Sequence, residues 1–423
     1  MTQIEVQHLH KPSLYTRLQP AIVALTLTSF VAATYGFGMY LFAAILPEMR
    51  ASLGFTYTTV GIITSAAQAA FMLFAIGGAL LAHRIGGAWV ALLSMIVCSA
   101  GLLLIPSVSN ILVIGALIVV LGGCAASVYV PMVDLASRTV PQSHRGKVLG
   151  LISSGTSYGV FINGLLAPYF LASGNWQGIW LAVGTISVGF TLIGFLVLGR
   201  AGVLSERAAP ARSAPVDEAD ASAGGKSGGF LKTLRRAEPW VLLILVITFF
   251  NGMTTMPFQN YLTSYLQDEL GHGVALSGQI WATIGFIGMF SGFLLGTLAD
   301  KIGIRATMVL TYGLLLVASV LLILVPVKGL LLFAGVCFAL AFYPIFGLVP
   351  AYIAKSPSRL SGTSVFAIAN VTLGIGGIAG NFLGGYWASL TGSFVGIYAV
   401  IALLAIVTGI LAWALPAETR GNE

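Results

Sequence analysis

The sequence predicts an all-α integral membrane protein whose twelve transmembrane helices form two six-helix bundles. Three observations support this prediction. First, 57% of the 423 residues are hydrophobic and only 8% are charged, whereas soluble proteins carry about 25% charged residues. Second, twelve apolar runs are each long enough to cross a bilayer. Third, a short charged sequence occurs twice, at corresponding places in the two halves of the chain.

The apolar runs are continuous and hold about 20 residues or more, which is the length of one helical crossing. A transmembrane β-barrel would instead show short segments of alternating apolar and polar residues. The 52 glycines also favour helices, because small residues let membrane helices pack closely. The predicted crossings are residues 20–46, 57–82, 88–106, 111–137, 147–172, 176–199, 239–265, 275–299, 306–326, 329–354, 362–389 and 393–415.

The segment 200–238, between the sixth and seventh crossings, is rich in Ala, Gly, Ser and Pro and has the composition of a flexible linker. It divides the chain into one bundle at 20–199 and a second at 239–415. Residues 1–19 and 416–423 are then terminal segments. The N-terminal segment is polar and has no cleavage-like pattern, so we expect no signal peptide.

The basic residues predict the orientation of the chain, because Lys and Arg collect on the cytoplasmic side of membrane proteins. If the N-terminus is cytoplasmic, all 20 basic residues except Arg50 and Lys328 fall in cytoplasmic segments. We therefore expect a multi-pass protein of the cell (inner or plasma) membrane with both termini in the cytoplasm. Orientation explains the net charge of +7, so we infer no binding to nucleic acid.

The repeated sequence is a charged turn that follows the second and the eighth crossings. Gly296–Arg305 reads G-T-L-A-D-K-I-G-I-R, and Ala79–Gly86, 217 residues earlier, reads A-L-L-A-H-R-I-G. The fifth and eleventh crossings match each other at a similar shift. A second copy that enters the membrane from the same side needs an even number of crossings before it, and six meets that condition.

These features resemble the major facilitator superfamily, and the resemblance covers nearly the whole chain. The second turn matches the family pattern G-x-L-A-D-K/R-x-G-x-R, whereas the first has Ala79 and His83 in place of Gly and Asp. The stretch Tyr35–Phe55 is similar to the YbfB/YjiJ-type branch, as is R-G-K-V-L-G-L at the fifth crossing. The resemblance implies two bundles that rock around a central site near the midplane. It also implies that helices 1, 4, 7 and 10 line the cavity and that helices 2, 5, 8 and 11 form the bundle interface.

The charged turn of the second half predicts a latch that holds the cytoplasmic side closed when the other side is open. Asp300 lies at a helix end in a zone of low dielectric constant and needs a basic partner. Arg305 is the local candidate, and Lys355 and Arg359 are candidates across the bundle interface. A plain topology anchor is the alternative.

In the first half, Asp134 and Arg138 stand four residues apart and share a helix face, which predicts a gate. A proton carrier and an inert helix-end pair remain alternatives for Asp134. His83 could titrate near neutral pH or be an exposed histidine with no special role. The latch candidates are His83, Arg84, Asp134, Arg138, Gly296, Asp300, Lys301, Arg305, Lys355 and Arg359.

No Lys, Arg, Asp or Glu is expected at the middle depth of the membrane, where a charge would mark a functional site. This predicts a neutral cavity lined by aromatic and amide side chains. An amide in hydrocarbon needs a hydrogen-bond partner, so each polar residue at this depth should face the protein interior. It could touch substrate or only tie helices together. The substrate-binding candidates are Tyr35, Gln68, Tyr129, Asn163, Asn251, Thr254, Gln259, Tyr343, Asn370 and Asn381.

The resulting prediction is a secondary active or facilitative transporter of a small organic solute, with a neutral or monoanionic organic or aromatic acid as the best match. A multidrug-type efflux pump for hydrophobic compounds is the alternative within transport. A transport-fold sensor or scaffold is the alternative from another class. We expect no enzyme activity, no metal and no cofactor, and we expect a monomer. Proton coupling stays open, as does the choice between uptake and efflux.

Overall fold

The computed structural model describes residues 14–140, 142–204, 238–324, 327–356 and 361–418. Within these residues, twelve helices are long and apolar enough to cross a membrane, and there is no strand. The predicted all-α architecture is confirmed. We name the helices α1 to α12 in chain order: Gln19–Ala44, Tyr57–Ile85, Gly87–Ser107, Ile111–Thr139, Arg145–Leu171, Trp176–Arg200, Pro239–Glu269, Val274–Ile302, Ile304–Leu324, Lys328–Lys355, Gly362–Thr391 and Val395–Ala414.

Local sequence sets several helix ends. Thr56, Asn110, Asn175 and Ser361 each precede a helix, and each side chain accepts a hydrogen bond from a backbone N–H of the first turn. Such a cap satisfies an N–H group that has no partner within the helix. A side chain at Ncap therefore marks the start of α2, α4, α6 and α11.

The two charged turns share one backbone geometry. Gly86 ends α2 with φ +92°, and Gly303 ends α8 with φ +96°. A residue with a Cβ rarely adopts such a conformation. The internal repeat predicted from the sequence is therefore also a repeat of structure, and both copies need glycine at this position.

Three of the long helices contain irregular segments. Ala32–Tyr40 of α1 is a π-helix, and Tyr265–Glu269 ends α7 in a second one. In α4 the regular helix ends at Tyr129 and resumes after Pro131, whose ring removes a backbone N–H. π-Helical segments are frequent at functional sites. In α1 the segment faces α5, where the Asn163 amide donates a 2.6 Å hydrogen bond to the carbonyl oxygen of Gly36.

Helices α1–α6 form one bundle and α7–α12 the other, and the bundles meet where α2 packs on α11 and α5 packs on α8. Glycine allows these helices to touch. A Cβ added at Gly61 or Gly164 would lie within 3.0 Å of the backbone of the facing helix. The interface helices are therefore those that the family resemblance implies.

The bundles are in contact at one end and apart at the other. We call the end near Arg200 and Glu238 the linker end, and the other end the closed end. Toward the linker end, the side chains of Tyr129 and Phe346 are exposed within their helices, as is that of Phe366 near the start of α11. At the closed end three hydrogen bonds join the bundles, from Tyr57 to Asp268, from Thr58 to Ser389 and from Ser65 to Ile378. The space between the bundles therefore opens toward the linker end.

Candidate functional site

A central cavity lies between the bundles, below the closed end. It is open on one side, and the space among its lining residues is about 430 Å³ when the adjoining solvent is included. No charged side chain occurs among the described residues that line it, in line with the neutral cavity that the sequence predicts. Five helices contribute its lining, which consists of Met39, Tyr40, Phe42, Thr64, Ala67, Gln68, Ile118, Met256, Asn260 and Asn381.

Gln68 and Asn381 are predicted site residues that this cavity brings together from opposite bundles. The Asn260 amide donates a hydrogen bond to the side-chain oxygen of Asn381 at 2.8 Å, and the Tyr261 hydroxyl donates to the Asn381 backbone carbonyl at 2.6 Å. Gln68 is only 4% exposed, and within the described chain its amide has no hydrogen-bond partner. Its N–H and C=O groups are therefore available to a solute.

A second cavity, of about 330 Å³, lies between α7, α10 and α11 of the second bundle. It contains two more predicted residues, Asn251 and Asn370. The Asn251 amide nitrogen is buried and has no partner among the described residues, whereas the Asn370 amide donates to the Phe366 carbonyl at 3.0 Å. Most of the other lining side chains are apolar, so this cavity suits an apolar group better than a charged one.

An aromatic group faces the space between the bundles from the first bundle. The rings of Tyr35 and Tyr129 meet edge to face with centroids 6.0 Å apart, and Tyr35 also meets Phe71 at 5.9 Å. The Tyr129 hydroxyl is hydrogen-bonded to Ser153 at 3.0 Å. The structure thus places two predicted residues together. Tyr343 lies apart from them, in contact with Gly288 of α8.

Like the three tyrosines, the remaining three predicted residues lie outside both cavities. Asn163 is fully buried and ties α5 to α1 through its bond to Gly36. The Thr254 hydroxyl donates to backbone carbonyls of its own helix. Gln259 is 3% exposed, and its amide nitrogen is buried without a partner in the described part of the chain. The contact of Asn163 is therefore a tie between helices, whereas those of Thr254 stay within α7.

In the first half of the predicted latch, Asp134 and Arg138 form an ion pair at 2.9 Å along one helix face. Asp134 also lies against the start of α3, close to Gly87. His83 and Arg84 are exposed at the end of α2. The pair is therefore local to the first bundle in this structure.

In the second half, Asp300 and Lys301 are exposed at the end of α8, and Asp300 forms no ion pair with a described residue. The Arg305 guanidinium lies 5.7 Å from the Trp413 ring centroid. Gly296 faces open space. Lys355 ends α10, and Arg359 lies outside the described residues. These positions fit a molecule whose linker end is open, and the latch itself stays a prediction.

A group of polar residues at the closed end was not predicted from the sequence. We call it the Arg50 cluster, and it consists of Glu48, Arg50, Tyr57, Gln267 and Asp268. The Tyr57 hydroxyl donates to the Asp268 carboxylate. The Arg50 guanidinium lies 3.9 Å from that carboxylate and 4.4 Å from the Tyr57 ring centroid. The cluster joins the two bundles. Its only signal in the sequence is that P-E-M-R and Q-D-E both follow apolar runs on the same predicted side.

Glu48 is the unusual member of this cluster. Both of its carboxylate oxygens are buried and have no hydrogen-bond partner among the described residues. Burial raises the pKa of the Glu48 carboxyl from an ordinary value of 4.5 to about 7. Its own backbone N–H and the Gln267 amide lie near enough to lower the pKa but do not meet hydrogen-bond geometry with the carboxylate, and the negative charge of Asp268 raises it. The carboxyl group therefore titrates near neutral pH.

Comparison with known proteins identifies the family. The chain matches the Major Facilitator Superfamily over residues 28–364. It is 21% identical over 370 residues to the "Probable sulfoacetate transporter SauU" of Cupriavidus necator, covering 82% of this chain and 83% of that protein. It is 26% identical over 281 residues to the "Probable anion transporter 4, chloroplastic" of Oryza sativa subsp. japonica, covering 61% of this chain but only 44% of the rice protein.

The fold has solved counterparts. One is a bacterial homolog to the human lysosomal transporter Spinster, in its inward-facing and unoccupied conformation, with a TM-score of 0.72 at 13% identity over 95% of this chain and 97% of that one. At this identity the likeness shows the fold alone. The family match, in contrast, spans well over half of the sequence. The chain therefore belongs to the major facilitator superfamily.

Proposed function

We propose that the chain is a secondary active or facilitative transporter that moves a small organic monoanion across the cell membrane by alternating access. The observation that carries this proposal is the central cavity between the bundles, in which the Gln68 amide has no partner among the described residues. Binding sites for small molecules are mostly apolar and contain a few well-placed polar groups. Membership of the superfamily supports the same conclusion.

The donors in the cavity favour a substrate with one carboxylate or sulfonate group. Amide N–H groups and the Tyr40 hydroxyl can donate to its oxygens. A dianion such as a sugar phosphate would call for Arg or Lys, which the lining lacks. Met39, Met256 and Ile118 offer apolar surface for a carbon skeleton. The similarity to relatives named as anion and sulfoacetate transporters adds support. A neutral organic acid remains compatible with this site.

The proposal includes an orientation. We infer that the linker end is cytoplasmic, because all basic residues except Arg50 and Lys328 fall on that side of the predicted topology. The Arg50 cluster then faces the outside, and the molecule is in an inward-open state. The latch at Asp300 would form in the opposite state, when the linker end closes. Placement in the YbfB/YjiJ-type branch stays a prediction.

One observation favours a second candidate, a multidrug-type efflux pump. The cavity between α7, α10 and α11 presents Ile345, Phe346, Val349 and Phe366, which suit a hydrophobic compound. Such a pump would bind lipophilic compounds without needing a carboxylate. The sensor or scaffold would bind a solute without moving it.

A thermal-shift screen of the purified full chain separates these candidates. Small monocarboxylates and sulfonates, their neutral amides, dicarboxylates and lipophilic cations are compared at equal concentration. We expect stabilisation by at least one monoanion and none by the matching dianion. Stabilisation by lipophilic cations alone would reject the organic-anion proposal in favour of the efflux pump.

A further inference from the structure

Glu48 occupies an unusual place at the closed end. It lies in the first turn of the short helix Leu46–Leu53, which connects α1 to α2. Although this helix follows the membrane-spanning part of α1, both carboxylate oxygens of Glu48 are buried without a partner in the described structure. Buried carboxylates are normally paired or hydrogen-bonded, because an ionised group is costly to remove from water. A carboxyl group in this environment is favoured in its neutral form.

No described residue near Glu48 forms an ion pair with its carboxylate. Asp268, from α7, is an acid, and Gln267 donates its amide N–H to Ser277 of α8 at 2.9 Å. Arg50, on the same short helix, is held by Asp268 and the Tyr57 ring. With Glu48 ionised, Glu48, Arg50 and Asp268 together carry a net negative charge. With Glu48 protonated, that charge is zero.

A nearby acid shows the contrast. The Glu269 carboxylate accepts hydrogen bonds from the Ser393 hydroxyl, at 2.7 Å, and from the Phe394 backbone N–H. Ser393 and Phe394 lie immediately before α12, within the same bundle as Glu269. Glu269 is therefore satisfied by its own bundle, whereas Glu48 is enclosed at a contact between bundles.

We propose that Glu48 is a proton-binding site whose protonation favours closure of the closed end. Opening this end would separate the short helix from α7 and let water reach the carboxylate. Closing the end would remove that water, which favours the neutral carboxyl group, so closure is linked to proton uptake. The inference rests on the proposed alternating access, because it requires that this end can open. The site sets which end is open and does not require the proton to cross the membrane.

The direction of the pH effect follows from the two states. In the closed state the Glu48 pKa is about 7, and in water it is near 4.5. The closed state therefore gains stability relative to the open state as the pH falls through 7, and the gain is complete below about 4.5. Between those values the closed-to-open ratio changes by up to about tenfold for each pH unit.

The test is a distance measurement across the closed end of the full chain in lipid nanodiscs. Spin labels are placed on cysteines at Ser52 and Ala275, which are exposed residues of the first and second bundles. The native Cys98, Cys124 and Cys337 are buried and are replaced by Ala. Double electron–electron resonance then reports the two populations from pH 5 to pH 9. We expect the short distance to gain population as the pH falls through 7.

Three variants make the result specific. Glu48→Gln imitates the protonated group and should keep the short distance at every pH. Glu48→Asp keeps a titrating carboxyl and should retain the pH response. Glu269→Gln, the matched control, should respond to pH as the parent protein does. An unchanged distance distribution between pH 5 and pH 9 in the parent protein would overturn the proposal, as would a full pH response in folded Glu48→Gln.

This test is separate from that of the proposed function. If no organic anion binds but the distances respond to pH through Glu48, the substrate proposal fails and the proton site stands. If anions bind and the distances do not respond to pH, the proton site fails alone. A loss of fold in Glu48→Gln is detected by its elution profile, and the comparison of Glu48→Asp with the parent protein then decides.

Discussion

At the residue scale, the amides within the membrane differ in what satisfies them. Asn163 donates to a backbone carbonyl of α1, whereas Gln68 has no partner in the described chain and lines the central cavity. Hydropathy places both residues within the membrane and cannot distinguish them. The partner of Asn163 is a backbone carbonyl 127 residues earlier in the chain, and hydropathy does not show that contact. The sequence therefore locates polar residues within the membrane but does not distinguish those with a protein partner from those without one in the described chain.

Gln68→Leu should weaken binding of the substrate anion while leaving the fold intact. A hydrogen bond to a charged group contributes about 1.5–3 kcal/mol, so the Kd should rise about tenfold to hundredfold. Titration of the purified variant by calorimetry measures the effect. Gln279→Leu, at an exposed position of α8, is the matched control and should bind as the parent protein does. Equal affinities of the two variants would remove Gln68 from the site.

Asp300→Asn should favour molecules that are open at the linker end. Asp300 has no ion pair with a described residue in this structure, so the variant loses nothing here and weakens the proposed latch in the other state. Exposed ion pairs contribute little, and we expect a change of about twofold to fivefold in the ratio of states. Spin labels at Gln142 and Ala306 report it, and Asp300→Glu should restore the parent ratio. If Asp300→Asn leaves the ratio unchanged, the turn is a topology anchor.

At the element scale, the helix spans followed closely from hydropathy. The third crossing was expected at 88–106 and is Gly87–Ser107, and the twelfth was expected at 393–415 and is Val395–Ala414. The irregular segments that the structure shows in α1, α4 and α7 were not predicted. The π-helix of α1 depends on hydrogen-bond register and on contact with α5, and the distribution of apolar residues predicts neither of these.

Gly61→Val should prevent the closed end from closing. A Cβ at Gly61 would lie 2.8 Å from the backbone oxygen of Asn381 in α11, and backbone cannot move aside as a flexible side chain can. The long distance between labels at Ser52 and Ala275 should then dominate at every pH. Gly77→Val, on the same helix but facing open space, should behave like the parent protein. A short distance in both variants would mean that this contact does not limit closure.

At the scale of the whole molecule, the internal repeat predicted two bundles and the family resemblance implied their interface helices, but nothing in the sequence predicted which end is closed. The Arg50 cluster illustrates the reason. Tyr57 and Asp268 are 211 residues apart in the chain, and they meet only because the bundles approach at this end. A contact between residues so far apart in the chain cannot be inferred from composition or periodicity.

We propose that the two bundles carry a small organic monoanion across the bilayer. Solute counterflow in proteoliposomes is the direct test of this transport. Vesicles are loaded with an unlabelled monoanion from the thermal-shift screen and diluted into a trace of the labelled compound. We expect the labelled compound to accumulate transiently inside the vesicles, at a rate that saturates with its concentration. This accumulation should be lost in Gln68→Leu but not in Gln279→Leu. If the internal label never exceeds the level in protein-free vesicles for any monoanion that binds, the proposed transport is contradicted.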